Sequence, residues 1–347
     1  MANDLTAKGA PRQHFIDIMK GIGIVMVVYG HLSVGNSETG SLLSSFRMPM
    51  FFFISGYLFN GMNKTPGQFL KRKALGLLVP YVVFYILTYL YWLLSRYITA
   101  DWVVEWWRPL IGLVFGTRAF GGMAHNVPVW FIPCLFALEV IFIYIYKLTK
   151  GRPVWMLAGA LIVTGFGVLF SAYNIDWLPM GLNYACGAYM FYYLGYLFKP
   201  VLNRKRNYFV LGGVLIVSIL YFVFLFDTNI FANVTTNVYR HFWRYLTAGC
   251  MGTALMYAAS RLINKSRPIE WVGRNTLVIL CFHIAVQSTL MYIVSFITGY
   301  DAAYFYGIEL VRWLLALVVV GLCVPLIFLY NRYLSPRLKF GKRQTAV

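Results

Sequence analysis

"FIDIMKGIGIVMVVYGHL", residues 15–32, is an apolar run of membrane-spanning length that nevertheless holds Asp17, Lys20 and His31. About twenty predominantly apolar residues cross a bilayer as a helix. An Asp or Lys near the centre of such a helix costs about 2.5 to 3.5 kcal/mol on insertion scales. Partners or function must offset that cost.

The rest of the chain is equally apolar. Of 347 residues, 60% are hydrophobic, 18% aromatic and only 12% charged, a balance that fits a polytopic membrane protein and not a soluble domain of this size. Apolar windows begin near Phe15, Leu42, Leu75, Val127, Val154, Leu182, Tyr208, His241, Gly273 and Gly307. We expect an all-α, polytopic integral membrane protein with about ten transmembrane helices, forming a single membrane-embedded domain over residues 1–347.

The net charge of +19 would suit nucleic acid if the basic residues formed one face, but they fall in short clusters between apolar runs, so no nucleic-acid partner is expected. Lys64, Lys71, Arg72 and Lys73 lie in one connection, Lys147, Lys150 and Arg152 in the next but one, then Lys199, Arg204, Lys205 and Arg206. Arg261, Lys265 and Arg267 continue the series, and the tail adds Arg332, Arg337, Lys339, Lys342 and Arg343. The alternate connections carry Glu38, Asp101, Glu105, Asp176, Asp227 and Asp301. The positive-inside rule then puts both termini in the cytoplasm, with 1–14 and 332–347 as tails, in a multi-pass protein of the cytoplasmic (inner) membrane.

Lys8 and Arg12 precede the first run as they would a signal peptide, but that run has charges in its core and no small-residue cleavage site, so we read it as a retained helix. No soluble domain is expected at either end. The outer connection over 98–126, with Trp102, Trp106, Trp107, Arg108 and Arg118, reads as an interfacial segment. Cys134, Cys186, Cys250, Cys281 and Cys323 sit in apolar runs without metal-ligand spacing; they read as buried thiols, and no metal is expected.

Lys20 and His31 are about 20° apart around a helix and about 16 Å apart along it. They share one face, Lys20 near the cytoplasmic mouth and His31 in the outward third, and so could hold the two ends of one long ligand such as coenzyme A. The plainer alternative is that Asp17 and Lys20, three residues apart, neutralise each other while His31 hydrogen-bonds inside the bundle; for Asp17 we favour it. For His31 we do not, because "FRMPMFFFISGYLF", residues 46–59, brings Arg47 to the depth of His31 on the next, antiparallel helix. Pro49 frees the carbonyl of Ser45 within the same turn. The competing account pairs Arg47 with a buried acid such as Glu139.

Other candidates are balanced between structural and functional readings. Glu139 lies mid-membrane and needs a cationic or protonated partner. His241 and Arg244 stand near the outer end of a later helix, where they meet either an acceptor or lipid headgroups. His283, in "GRNTLVILCFHIAV", is accompanied by Arg274, Asn275 and Gln287. His125 and Asn126 have outer-loop access, and His14 reads as solvated at the inner interface.

With these residues in view, the sequence resembles acyltransferase family 3 of integral membrane acyltransferases, and within it the fucose 4-O-acetylase-like branch. "IDIMKGIGIVMVVYGHL" resembles the family's first-helix pattern of a basic residue and a histidine separated by ten residues, here Lys20 and His31. "FRMPMFFFISGYLF" resembles the second-helix motif, and Lys71 to Lys73 before "LLVPY" the basic segment after it. "VPVWFIPCLF", "YYLGYLFK" and "GRNTLVILCFH" have counterparts in order. Close relatives often carry histidine where this chain has Arg47, a guanidinium that stays protonated and suits an oxyanion better than proton transfer.

The resemblance implies transfer of an acyl group, acetyl from acetyl-CoA, to a hydroxyl of a cell-surface glycan or lipid-linked sugar precursor. On that reading Lys20, Lys71, Arg72 and Lys73 hold the donor phosphates, and His31 acts as general base or acylated nucleophile while Arg47 stabilises the oxyanion. Asp17, Glu139, His283 and Arg244 are possible additions to the site. The alternative is a transporter or flippase for a glycan or lipid, although no inverted repeat is evident; a sensing module without turnover is a third reading.

Overall fold

The computed structural model describes residues 13–32, 37–99, 103–205, 207–227, 232–233, 238–239 and 241–335. Asp101, Trp102, Arg206, the first twelve residues with Lys8 and Arg12, and the tail cations Arg337, Lys339, Lys342 and Arg343 lie outside the described residues.

Helices follow in the order α1 His14–His31, α2 Glu38–Tyr57, α3 Pro66–Thr99, α4 Arg108–Phe115, α5 Phe131–Leu148, α6 Pro153–Ala172 and α7 Leu182–Leu202. Then come α8 Tyr208–Phe224, α9 Phe242–Ile263, α10 Arg267–Arg274, α11 Thr276–Thr298, α12 Ala302–Tyr306, α13 Glu309–Leu322 and α14 Val324–Leu329. Between α8 and α9 a two-residue antiparallel ladder pairs Ala232–Asn233 (β1) with Val238–Tyr239 (β2). Each apolar run named above maps onto one of the longer helices.

Apart from that short ladder, the structure is that of a helical membrane protein. Among the described residues five helical segments are long and apolar enough to cross a membrane: Pro66–Ile98, Val127–Leu148, Pro153–Ala172, Thr276–Thr298 and Glu309–Leu334. α1, α2, α7 and α9 are of comparable length but less apolar. α7 is buried almost continuously from Asn183 to Tyr193, and a helix so shielded from lipid has no need of a lipid-like composition. α2 and α7 cross so closely that a Cβ on Gly56 would stand 1.9 Å from the carbonyl oxygen of Tyr192, and one on Gly195 1.9 Å from that of Phe53.

α3 begins earlier than its apolar run because Thr65 and Gln68 form a reciprocal capping box: Gln68 N–H donates to Thr65 Oγ1 at 3.3 Å and Thr65 N–H to Gln68 Oε1 at 3.2 Å. Pro66 follows at the first helical position, where its missing N–H costs nothing. Lys71, Arg72 and Lys73 therefore lie on a helix, not in the connection where hydropathy alone had put them. α10 is the other departure. It packs along the first half of α1, and its buried Glu270 takes His14 at 2.9 Å, so His14 is paired and not merely solvated.

Clustered basic residues mark one end of the bundle. There Lys199 donates to the carbonyl of Phe59, Lys147 to that of Met62 and Arg261 to that of Arg204. At the other end Arg244 pairs with Asp227 at 3.0 Å, and Glu309 of α13 takes the hydroxyl of Tyr29 at 2.6 Å and the guanidinium of Arg312. This second network, with Trp313 stacked on Tyr29 at 4.3 Å, fixes the C-terminal end of α1, where His31 lies.

Candidate active site

Lys20, Ile24, Val27 and His31 recur at helical spacing and form one stripe of α1. A cavity of about 230 Å³ runs against that stripe. Lys20 stands at its basic end; Ile24, Val27, Phe51, Ile54 and Leu280 line its apolar interior. The lining stops at Val27 and Leu280, one turn before His31 and three residues before His283, so both histidines lie just past the cavity's outer limit.

The two imidazoles are neighbours, with ring centroids 5.3 Å apart and planes at 47°. His283 is fully buried. Its Nδ1 is 2.9 Å from the carbonyl oxygen of Ile279; a carbonyl only accepts, so Nδ1 carries the hydrogen. Nε2 has no partner among the described residues. One turn further along α11, Gln287 Nε2 donates to the carbonyl of His31 at 2.7 Å and holds the end of α1 in place. The ring nitrogens of His31 make no hydrogen bond among the described residues, and the residue is half-buried, not sealed.

Arg47 reaches the same place from α2. Its Nη1 donates to the carbonyl of Met26 at 3.4 Å. The guanidinium lies over α1 at Gly30, where a Cβ would come within 1.6 Å of Nη1. Only glycine leaves that passage open, so the "GH" step of residues 30–31 is a signal for the cation that the sequence alone did not reveal. Arg47 meets no carboxylate among the described residues. His283 and Arg47 are thus the titratable groups that the geometry brings to His31 among the described residues. The connection that holds Arg118 is tied to α3, where the hydroxyl of Tyr81 donates to the carbonyl of Gly112 at 2.9 Å and that of Tyr85 to the carbonyl of Pro109 at 2.6 Å.

Asn126 closes the same side. It is buried, donating to the carbonyl of Cys281 at 2.6 Å and to Thr88 Oγ1 at 3.2 Å. Next to it His125 packs on the ring of Tyr85 at 4.5 Å, and burial pushes its pKa down to about 4. A neutral, enclosed His125 is a wall of the site, not a charged entry.

The remaining candidates divide. Glu139 does not meet Arg47. It is fully buried against Lys73 of α3, with the hydroxyl of Tyr192 3.5 Å from the same oxygen. This corrects the Arg47–Glu139 pairing: the early start of α3 carries Lys73 inward to the acid. Lys71 and Arg72, on the same helix, stay exposed. Burial and the charges of Arg72 and Lys73 push the pKa of Lys64 below its ordinary value, which marks a basic patch there. Asp17 and Lys20 are 3.9 Å apart, as their spacing suggested. Arg244 is taken up by Asp227 on the exposed surface, away from the histidines. The five cysteines are free; Cys250 is half-buried and the others buried.

A family model described as an acyltransferase domain matches residues 13–332. The chain belongs to acyltransferase family 3. No curated protein and no solved structure matches it. For a membrane acyltransferase the chemistry of the chamber is coherent. An imidazole with free ring nitrogens can take a hydroxyl proton, and an uncancelled guanidinium can stabilise the negative oxygen of a tetrahedral intermediate.

Proposed function

We propose that this acyltransferase moves acetyl from acetyl-CoA to a hydroxyl of a cell-surface glycan or a lipid-linked sugar precursor, as in the fucose 4-O-acetylase-like branch. The chain makes about ten membrane crossings, with both termini and the basic end in the cytoplasm. The observation that carries the reading is the α1 stripe: a cation at Lys20, an apolar cavity beside Ile24 and Val27, and His31 beyond it beside Arg47.

In this mechanism Lys20, Lys71 and Arg72 hold the donor phosphates at the basic end. Lys73 contributes least, because Glu139 already takes its charge. The thioester arm enters the cavity and brings the carbonyl carbon to the histidines. His31 takes the proton of the acceptor hydroxyl as its oxygen bonds to that carbon, and Arg47 faces the oxygen that becomes negative. The tetrahedral intermediate then collapses: the carbon–sulfur bond breaks, the CoA thiolate leaves, and the proton on His31 passes to sulfur. His283 and Gln287 position His31; they need not touch substrate.

The test is release of free CoA from acetyl-CoA by detergent-purified protein, with and without a crude surface-glycan extract. Glycan-stimulated release that disappears in His31→Ala supports the reading. Release that is unchanged in the variant removes His31 from the chemistry, and acetyl-CoA that neither binds nor turns over removes the donor.

A further inference from the structure

The basic end carries a second, larger cavity that shares no lining residue with the one along α1. It lies between α7, α8 and α9 over a floor at Phe53 of α2, with a volume of about 620 Å³. Its interior is apolar, including Phe191, Leu211 and Ala254, and its mouth meets Arg204, Lys205 and Arg261. The same three cations line an adjoining polar bowl of about 530 Å³. Among the described residues no Asp or Glu lines either space.

The cations are not equivalent. Arg261 is built in: Nη2 donates to the carbonyl of Arg204 at 2.8 Å, Nη1 to that of Leu202 at 3.3 Å, and the guanidinium lies 5.1 Å from the ring centre of Phe15. Arg204 and Lys205 are exposed, and neither side chain pairs with a carboxylate among the described residues. The rim is informative too. Phe198, Val201 and Val210 are 42%, 49% and 59% exposed, and large apolar side chains at the lip of a cavity in a membrane protein face hydrocarbon. The slot therefore opens sideways into the bilayer while its cations sit at headgroup level. A soluble anion would use the bowl and leave the slot empty; an amphiphile fills both.

We propose that this cleft is a binding site for an anionic glycerophospholipid of the inner leaflet, with one acyl chain in the slot between α7, α8 and α9 and the phosphate at Arg204, Lys205 and Arg261. The charge complementarity selects an anionic headgroup, and the lipid-facing rim selects a membrane-resident ligand. The leaflet follows from the orientation proposed above; the site itself does not depend on acyl transfer.

The experiment is native mass spectrometry of the full chain in detergent, incubated with equal amounts of phosphatidylglycerol and phosphatidylcholine. Wild type should retain phosphatidylglycerol in preference. Arg204→Gln combined with Lys205→Gln should reduce that preference by about 25-fold, on the scale of about fivefold for each basic residue at a membrane surface. Ala254→Phe, which fills the slot, should lose both lipids. Equal retention of the two lipids by wild type, or an unchanged preference in the double variant, overturns the proposal; so does displacement of the lipid by stoichiometric palmitoyl-CoA, which would give the cleft to an acyl donor. The double variant alters exposed side chains, and a single size-exclusion peak verifies its fold. Transfer activity is measured separately, so failure of the catalytic reading leaves this result intact.

Discussion

Two of the places where the bundle takes in charge treat it oppositely. Between α3 and α5, Lys73 and Glu139 cancel each other, the acid fully buried and the cation reaching in from the basic end. Between α1, α2 and α11, Arg47 meets no carboxylate among the described residues, and it stands beside an imidazole whose nitrogens make no hydrogen bond there. A buried pair whose charges cancel has less need of a charged ligand, although Glu139 Oε2 makes no hydrogen bond among the described residues. A half-buried cation beside an open base keeps that need, and a substrate that develops negative charge supplies what it lacks. Burial of charge alone thus says little about function; whether the charge is cancelled says more.

The sharpest way to break this comparison is His31→Ala, which should lower turnover about 1,000-fold with the protein still monodisperse and folded, the scale of losing a general base. The Lys73–Glu139 pair should respond in the other currency. Lys73→Ala leaves a buried carboxylate alone and should cost about 3 to 5 kcal/mol of stability, read by thermal unfolding in detergent. Lys73→Met combined with Glu139→Leu should recover most of that loss, with activity per folded molecule retained. If the double variant is stable but inactive, the pair belongs to the chemistry and the contrast fails.

Arg47→Lys should lower kcat about 100-fold with little change in KM for the donor, because an ammonium cannot reproduce the planar guanidinium at an oxyanion. Gly30→Ala should move in the same direction by displacing Arg47 from its passage over α1. The smallest effect belongs to Lys20→Gln. It should raise KM for acetyl-CoA about fivefold and leave kcat nearly unchanged, since Lys20 would bind ground state and transition state alike.

Much of this was legible beforehand. Each apolar run became a helix, and Lys20 and His31 share a stripe of α1, because hydropathy and helical period are local properties of the chain. The start of α3 was readable in principle from "TPGQ", a capping box around a proline, but a hydropathy window passes over polar residues at a helix start. Glu139 could be recognised as needing a cation, yet not which one. The competing account offers it Arg47, whereas the packing of α3 on α5 supplies Lys73.

The sequence by itself determined the class of protein, the order of its helices and the cation-to-histidine stripe. Each of these depends on residues within a few turns of one another. Only the tertiary structure decided that His283 and Gln287 of α11 close on His31 and that Gly30 admits Arg47. Those contacts join segments far apart in the chain. Their geometry depends on how whole helices cross, which no local period encodes.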